Sequence, residues 1–109
     1  MAMTESEFHE RVDDLLQTIE EAVEDCGVDI DFDNNGGILT LYFEDGSQVI
    51  VNRQTPVRQI WVAARSGGFH YDYSADDASW RNDNDGEDLI LALNRFCTEQ
   101  SGESVELEI

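Results

Sequence analysis

Carboxylate side chains are concentrated in the first third of the chain. Residues 5–33 contain twelve Asp and Glu residues against one basic residue, Arg11. Two groups stand out: four acids close together at Glu20, Glu21, Glu24 and Asp25, and three at alternating positions, Asp29, Asp31 and Asp33. Hard cations such as Mg²⁺, Ca²⁺, Mn²⁺ and iron prefer carboxylate oxygens as ligands. The pattern therefore indicates a surface that binds cations weakly or docks on a basic partner.

The overall charge narrows the classes of partner. The 109-residue chain has a formal net charge of −19, and its six basic residues are all Arg. Nucleic acids and anionic membranes bind positively charged proteins, so this balance argues against both. A solvated acidic face, or the uniformly acidic surface of a salt-adapted protein, is the plain alternative. However, residues 46–71 contain three Arg and no acid, so the charge is polarised along the chain.

The remaining reactive residue types predict no catalysis. There is no Ser/His/Asp or Cys/His set in a recognisable context, so we expect no enzyme activity. His9 precedes Asp13 by one helical turn and could add a nitrogen ligand, although an exposed histidine is more often only solvated. Cys26 and Cys97 are isolated and are expected to be reduced thiols in a cytoplasmic protein. No apolar run approaches the ~20 residues that span a bilayer.

The periodicity of the apolar residues predicts two helices around a set of strands. The first helix is expected over residues 4–25 behind a capping box, and the second from a turn at 83–86 to about residue 100. Strands are predicted at 28–33, 38–43, 48–52, 59–65 and 69–73, with a short edge strand at 79–81 and a turn at 34–37. This pattern is typical of an α+β fold. We expect a two-layer α-β sandwich with two helices on one face of a mostly antiparallel five- to six-stranded sheet, and one domain over residues 1–109.

The turns decide which side chains face the helices. A three-residue loop at residues 44–46, with Gly46 in the left-handed region, places four apolar residues on one face: Leu39, Leu41, Val49 and Val51. Alternation also puts Asp29, Asp31 and Asp33 on one face of the first strand. If that strand lies beside the first helix, the two acidic groups form a single ridge.

The other face of the sheet carries a second candidate site. Five of its residues are Asn52, Arg53, Gln54, Gln59 and Trp61. An exposed Trp flanked by amides and Arg has the composition of a protein-interaction hot spot. The alternative is a Trp partly covered by a loop or by the chain's own tail.

Several stretches of the sequence resemble the bacterial frataxin family, the CyaY type. They are SEFH at 6–9, TIEE at 18–21, NGGILT at 35–40, NRQTPVRQIW at 52–61 and GGFHYD at 67–72. The resemblance spans nearly the whole chain, and the central motif is the most distinctive. It implies the same α-β sandwich and a small iron-binding protein of iron–sulfur cluster assembly.

The resemblance carries expectations for particular residues. It implies weak binding of iron (Fe²⁺ and Fe³⁺) by the acidic ridge, Glu20, Glu21, Glu24, Asp25, Asp29, Asp31 and Asp33, with His9 as an extra site. It also implies association with the cysteine desulfurase and the iron–sulfur scaffold protein, as regulator or iron donor. The partner surface would include Asn52, Gln54, Gln59 and Trp61. The expected protein is a cytoplasmic monomer that iron could drive into oligomers.

Two other classes of function stay open. The first is an acidic protein-interaction module without a metal role, such as a nucleic-acid mimic that occupies a basic groove. It would show no localised response to iron. The second is an iron oxidase acting through carboxylate pairs, which ranks last because no closed di-iron site is visible in the sequence.

Overall fold

The structure, a computed structural model, describes residues 3–107 and residue 109. Its elements are α1 (Glu5–Asp25), β1 (Asp31–Asn35), β2 (Ile38–Tyr42), β3 (Gln48–Gln54), β4 (Gln59–Ala64), β5 (Gly67–Ser74), β6 (Ser79–Asn82) and α2 (Leu89–Ser101), with a 3₁₀ turn at Thr55–Val57. The six strands pair in chain order, each antiparallel to its neighbour. Both helices pack on the sheet, which confirms the predicted two-layer α-β sandwich.

Helix α1 begins at the predicted capping box. The Thr4 hydroxyl accepts a hydrogen bond from the Glu7 backbone N–H at 3.1 Å, and the Glu7 carboxylate accepts one from the Thr4 N–H at 3.2 Å. These two bonds satisfy amides that have no partner within the helix. The buried stripe of α1 comprises Phe8, Val12, Leu16, Ile19, Ala22 and Val23. This stripe packs on the sheet and leaves the acidic side chains toward solvent.

The hairpin between β2 and β3 has the predicted three-residue loop. Gly46 has a φ of +88°, and the Phe43 N–H donates to the Ser47 carbonyl at 3.0 Å across the loop. Leu39 lies opposite Val51 and Leu41 opposite Val49, and all four are fully buried. By contrast, the turn between β1 and β2 is two residues long, because Gly36 and Gly37 both adopt positive φ and let the strands pair up to them.

Two predicted boundaries are wrong for local reasons. The first strand begins at Asp31 rather than 28, because the Ile30 N–H donates to the Val28 carbonyl and turns the chain. The second helix begins only at Leu89, with the Asp88 carboxylate capping the Ile90 N–H at 2.7 Å. The residues before it form a turn, in which the Asn82 side-chain oxygen accepts bonds from two following backbone amides.

The segment after α2 returns to the core. Val105 and Leu107 are buried, and the Asn94 side chain accepts a hydrogen bond from the Leu107 N–H at 2.9 Å. This tail therefore packs beside α2. Cys97 is buried and Cys26 half-buried, and both are free thiols in the structure. Neither helix is long and apolar enough to cross a membrane, as far as the described residues show.

Candidate functional site

The four acids of α1 occupy its last two turns. Glu21, Glu24 and Asp25 are exposed and Glu20 is half-buried. The last turn of the helix has no basic residue, so these carboxylates crowd the negative end of the helix dipole. The Asn34 side chain donates to Glu20 Oε2 at 2.9 Å, and Gln17 donates to Glu21 Oε1 at 3.4 Å. Amides are neutral, so neither contact offsets the charge.

The acids of β1 lie on the other side of the sheet from α1. Phe32 and Asn34 face Leu41 and Leu39 of β2, which are buried beneath the helices. Asp31 and Asp33 alternate with them and therefore point from the opposite face. The Asn34–Glu20 hydrogen bond shows that β1 runs beside α1 as expected. The predicted single ridge is nevertheless two acidic rows, one on α1 and one on β1, because the half-buried Phe32 turns the aspartates away.

Asp29 precedes β1 and lies beside Glu44, a carboxylate that no motif in the sequence singles out. When Glu44 carries a proton, its carboxyl group can donate a hydrogen bond to the Asp29 carboxylate. This bond, followed by the negative charges of Asp29 and then of Glu103, raises the pKa of Glu44 above its ordinary value. The β2–β3 loop brings Glu44 there, so only the folded chain reveals the pair. The acidic surface thus extends beyond the predicted residues.

The acidic surface has no cationic partner of its own. Within the described part of the chain, none of the seven predicted carboxylates forms a salt bridge. Five of the six Arg residues pair with acids elsewhere: Arg11 with Glu7, Arg53 with Asp13, Arg65 with Asp45, Arg81 with Asp77 and Arg95 with Glu87. The sixth, Arg58, donates to the Thr55 carbonyl. Residues 3–107 and 109 also place no three His, Cys, Asp or Glu side chains around one metal position. The surface is therefore open, and its donors suit hydrated hard cations.

His9 lies apart from both acidic rows. It is eleven residues before Glu20, which corresponds to ~16 Å along the helix. Its Nδ1 is 3.0 Å from Arg53 Nη1, and its Nε2 is 3.7 Å from Glu5 Oε1. Since a guanidinium only donates, Nδ1 is the acceptor and carries no proton. The structure therefore does not bring His9 together with the other predicted ligands.

Arg53 is on the helix side of the sheet, which corrects its predicted place on the exposed face. Arg53 lies opposite the buried Ile60 and follows Val49 and Val51 on the same face of β3. Its side chain is only 15% exposed, and Nη2 is 2.5 Å from Asp13 Oδ1 on α1. The motif suggested a row of polar surface residues, but strand alternation turns this one toward the helix.

The other four predicted partner residues do share the exposed face. Trp61 lies between Asn52 and His70 across three strands, and Gln54 lies opposite Gln59. Trp61 is 38% exposed. It stacks on His70 at 4.3 Å between ring centroids, and its Nε1–H donates to Gln59 Oε1 at 2.9 Å. A shallow groove of about 220 Å³ beside the ring is lined by residues that include Ile50, Ala63 and Gly68.

The fold and these two surfaces define a class of protein. Residues 1–103 match the model of the frataxin-like domain, and the chain belongs to this family. It is 52% identical over 104 residues to the iron-sulfur cluster assembly protein CyaY of Pseudomonas aeruginosa, which covers 95% of this chain and 96% of that protein. It is 48% identical over 106 residues to the protein of the same name from Azotobacter vinelandii, with 97% and 96% covered.

A solved structure shows the same architecture. The frataxin of Psychromonas ingrahamii superposes with a TM-score of 0.90 at 40% identity, covering 98% of this chain and all of that one. The resemblance read from the motifs is thereby confirmed. Membership of the family also supports the expectation that the chain is not an enzyme.

Proposed function

We propose that this chain acts in iron–sulfur cluster assembly, where it binds iron weakly and modulates the cysteine desulfurase and scaffold complex as regulator or iron donor. One observation carries the proposal. Seven carboxylates lie on adjoining elements, and no salt bridge neutralises them in the part of the chain that the structure describes. Such repulsion destabilises the free protein, and a bound cation or basic surface would relieve it. The relatives' names support the choice of pathway.

The iron would be held as cargo by few protein ligands at a time. Glu20 and Glu24, and likewise Glu21 and Asp25, are four residues apart and neighbours on the helix surface. Each pair could share one hydrated ion, with water completing the coordination sphere. Because the β1 aspartates point from the other face, they would form a separate weak site. His9 would lie outside the iron surface, because it is ~16 Å along α1 from Glu20.

The partners would meet two different surfaces. The acidic end of α1 would dock on a basic patch of the desulfurase, with long-range attraction raising the association rate. The exposed sheet face around Trp61 would contact the scaffold protein. Iron and the desulfurase would compete for the same carboxylates, so each should weaken the binding of the other. We further propose a cytoplasmic monomer with one domain over residues 1–109.

A charge-neutralised variant tests this proposal. The variant combines Glu20→Gln, Glu21→Gln, Glu24→Gln and Asp25→Asn. A matched control removes four exposed charges elsewhere: Glu10→Gln, Asp14→Asn, Asp76→Asn and Glu99→Gln. Anaerobic equilibrium dialysis measures Fe(II) binding, and a binding assay measures desulfurase affinity.

The proposal predicts that the first variant weakens both Fe(II) binding and desulfurase binding, with only the β1 aspartates left to hold iron, and that the control keeps both. Loss of desulfurase affinity with unchanged iron binding would leave an acidic docking module without a metal role. Equal losses in both variants would mean that only total charge matters, and this would contradict a localised surface.

A further inference from the structure

The Trp61 indole is held in place by a side chain of its own strand. Gln59 Oε1 accepts the indole N–H, while Gln59 Nε2 donates to Asp72 Oδ1 at 3.1 Å and faces Asp83 Oδ2 at 3.4 Å. An indole nitrogen only donates and a carboxylate only accepts. The Gln59 amide can therefore bond to the indole and to the carboxylates in one orientation only. In that orientation Oε1 faces Trp61 and Nε2 faces Asp72 and Asp83.

The Asp83 carboxylate also approaches His70, whose ring stacks on Trp61. Asp83 Oδ2 lies 3.7 Å from Nδ1 of His70, the residue on which Trp61 stacks with an angle of 17° between the ring planes. The backbone of Asp83 is fixed beside β5, because its N–H donates to the His70 carbonyl at 2.9 Å. Trp61 is thus held from below by His70 and from the side by Gln59, and Asp83 contacts both.

We infer that Gln59 is a positioning residue for Trp61, and that the scaffold contacts the indole as an apolar surface. This inference rests on the proposed function, in which the sheet face binds the scaffold. The indole N–H is already satisfied within the chain, so a partner gains little by offering it an acceptor. The groove beside the ring has Ile50, Ala63 and Gly68 in its lining. It fits a single aliphatic or aromatic side chain of the partner, which is the usual form of a hot-spot contact.

The positioning role is tested first without any partner. Gln59→Glu keeps the size and the acceptor but sets a negative oxygen against Asp72 and Asp83, and Gln59→Met removes all three hydrogen bonds. Gln54→Glu is the matched control, because Gln54 lies opposite Gln59 on the same face and forms no side-chain hydrogen bond in the described structure. The readout is the indole N–H resonance of Trp61, assigned with Trp61→Phe and compared with that of the buried Trp80.

We expect Gln59→Met to shift the Trp61 indole signal and to speed its hydrogen exchange about fivefold or more, the loss of one net hydrogen bond. Gln59→Glu should shift the signal as well, because repulsion from Asp72 and Asp83 displaces the acceptor. Trp80 and the Gln54→Glu control should not change. An unchanged Trp61 signal in both Gln59 variants would overturn the inference.

The second measurement is scaffold affinity. Gln59→Met should weaken binding about fivefold, and Trp61→Ala should weaken it by more. Weaker binding by Gln59→Met with an unchanged indole signal would show a direct partner contact and contradict the positioning role. If Trp61→Ala leaves the affinity unchanged, the proposed sheet-face function fails, whereas the indole measurement still decides whether Gln59 positions the ring.

Discussion

The guanidinium of Arg53 on β3 and the carboxylate of Asp13 on α1 join the sheet to the helix at 2.5 Å. A second nitrogen of the same guanidinium contacts His9, also on α1. Gly37 in the β1–β2 turn leaves room for this side chain, since a Cβ there would lie 3.0 Å from Arg53 Nη2. These contacts link β3 to α1 and to the β1–β2 turn, and they give Arg53 a structural role.

Replacing Arg53 should therefore destabilise the fold. Arg53→Gln removes the ion pair and the His9 contact, and we expect a loss of about 2 kcal/mol in the free energy of unfolding, which urea denaturation measures. Arg65→Gln is the control, because the Arg65–Asp45 pair is solvent-exposed and should contribute less than about 1 kcal/mol. Equal losses for the two variants would show that Arg53 is an ordinary surface residue.

The carboxylate pair of Glu44 and Asp29 predicts a dependence of stability on pH. Folding raises the pKa of Glu44, first through its hydrogen bond with Asp29 and then through the charge of Asp29. The folded state therefore holds this proton more tightly than the unfolded state, and the pair destabilises the fold above the folded pKa. Glu44→Gln should raise the melting temperature at pH 7, and its advantage over the original chain should shrink as the pH falls through that pKa. An advantage that stays constant over that pH range would contradict the pairing of the two carboxylates.

The two thiols should differ in reactivity. Burial raises the pKa of the Cys97 thiol to about 12, and its side chain is inaccessible, whereas Cys26 is half-buried. Because the thiolate is the reactive form, a disulfide exchange reagent at pH 8 should label Cys26 in the native protein and Cys97 only after unfolding. Labelling of Cys97 at the rate of Cys26 under native conditions would contradict its burial.

Neutralising the acids of α1 should stabilise the protein. The variant with Glu20→Gln, Glu21→Gln, Glu24→Gln and Asp25→Asn keeps the acceptor for Asn34 and removes repulsion at the negative end of the helix. We expect a rise in melting temperature of about 5 °C at low salt, the equivalent of about 1 kcal/mol. The rise should diminish in 1 M NaCl, since salt screens exposed charges. A lower melting temperature at every salt concentration would mean that these carboxylates stabilise the fold.

Much of the fold could be predicted because strong local signals agree with one another. The capping box at Thr4 and Glu7 fixes the start of α1. Gly46 and the alternation of Leu39 and Leu41 decide the β2–β3 loop, since a two-residue loop would have buried polar side chains. The exposed position of Trp61 follows from the same alternation of side chains along the strands. Each of these decisions depends on residues that are close in sequence.

The arrangement of the candidate site depends on tertiary packing, which the alternation of side chains along a strand does not reveal. Alternation divides β1 into two sets of side chains but does not say which set faces the helix. Phe32 decides it by packing against the core, which turns Asp31 and Asp33 to the other face. The same holds for Arg53, whose guanidinium contacts Asp13, forty residues earlier in the sequence. Glu44 lies beside Asp29 only because the β2–β3 hairpin brings it there.

Iron should bind to the acidic surface and not to the protein as a whole. The most direct measurement is an anaerobic Fe(II) titration of ¹⁵N-labelled protein with excess Mg²⁺, following the backbone amide signals. We expect broadening confined to residues 20–25 and 29–33, with His9 and the Trp61 face unaffected. Uniform broadening, or none, would contradict a localised iron surface and leave the carboxylates as a docking surface for partners alone.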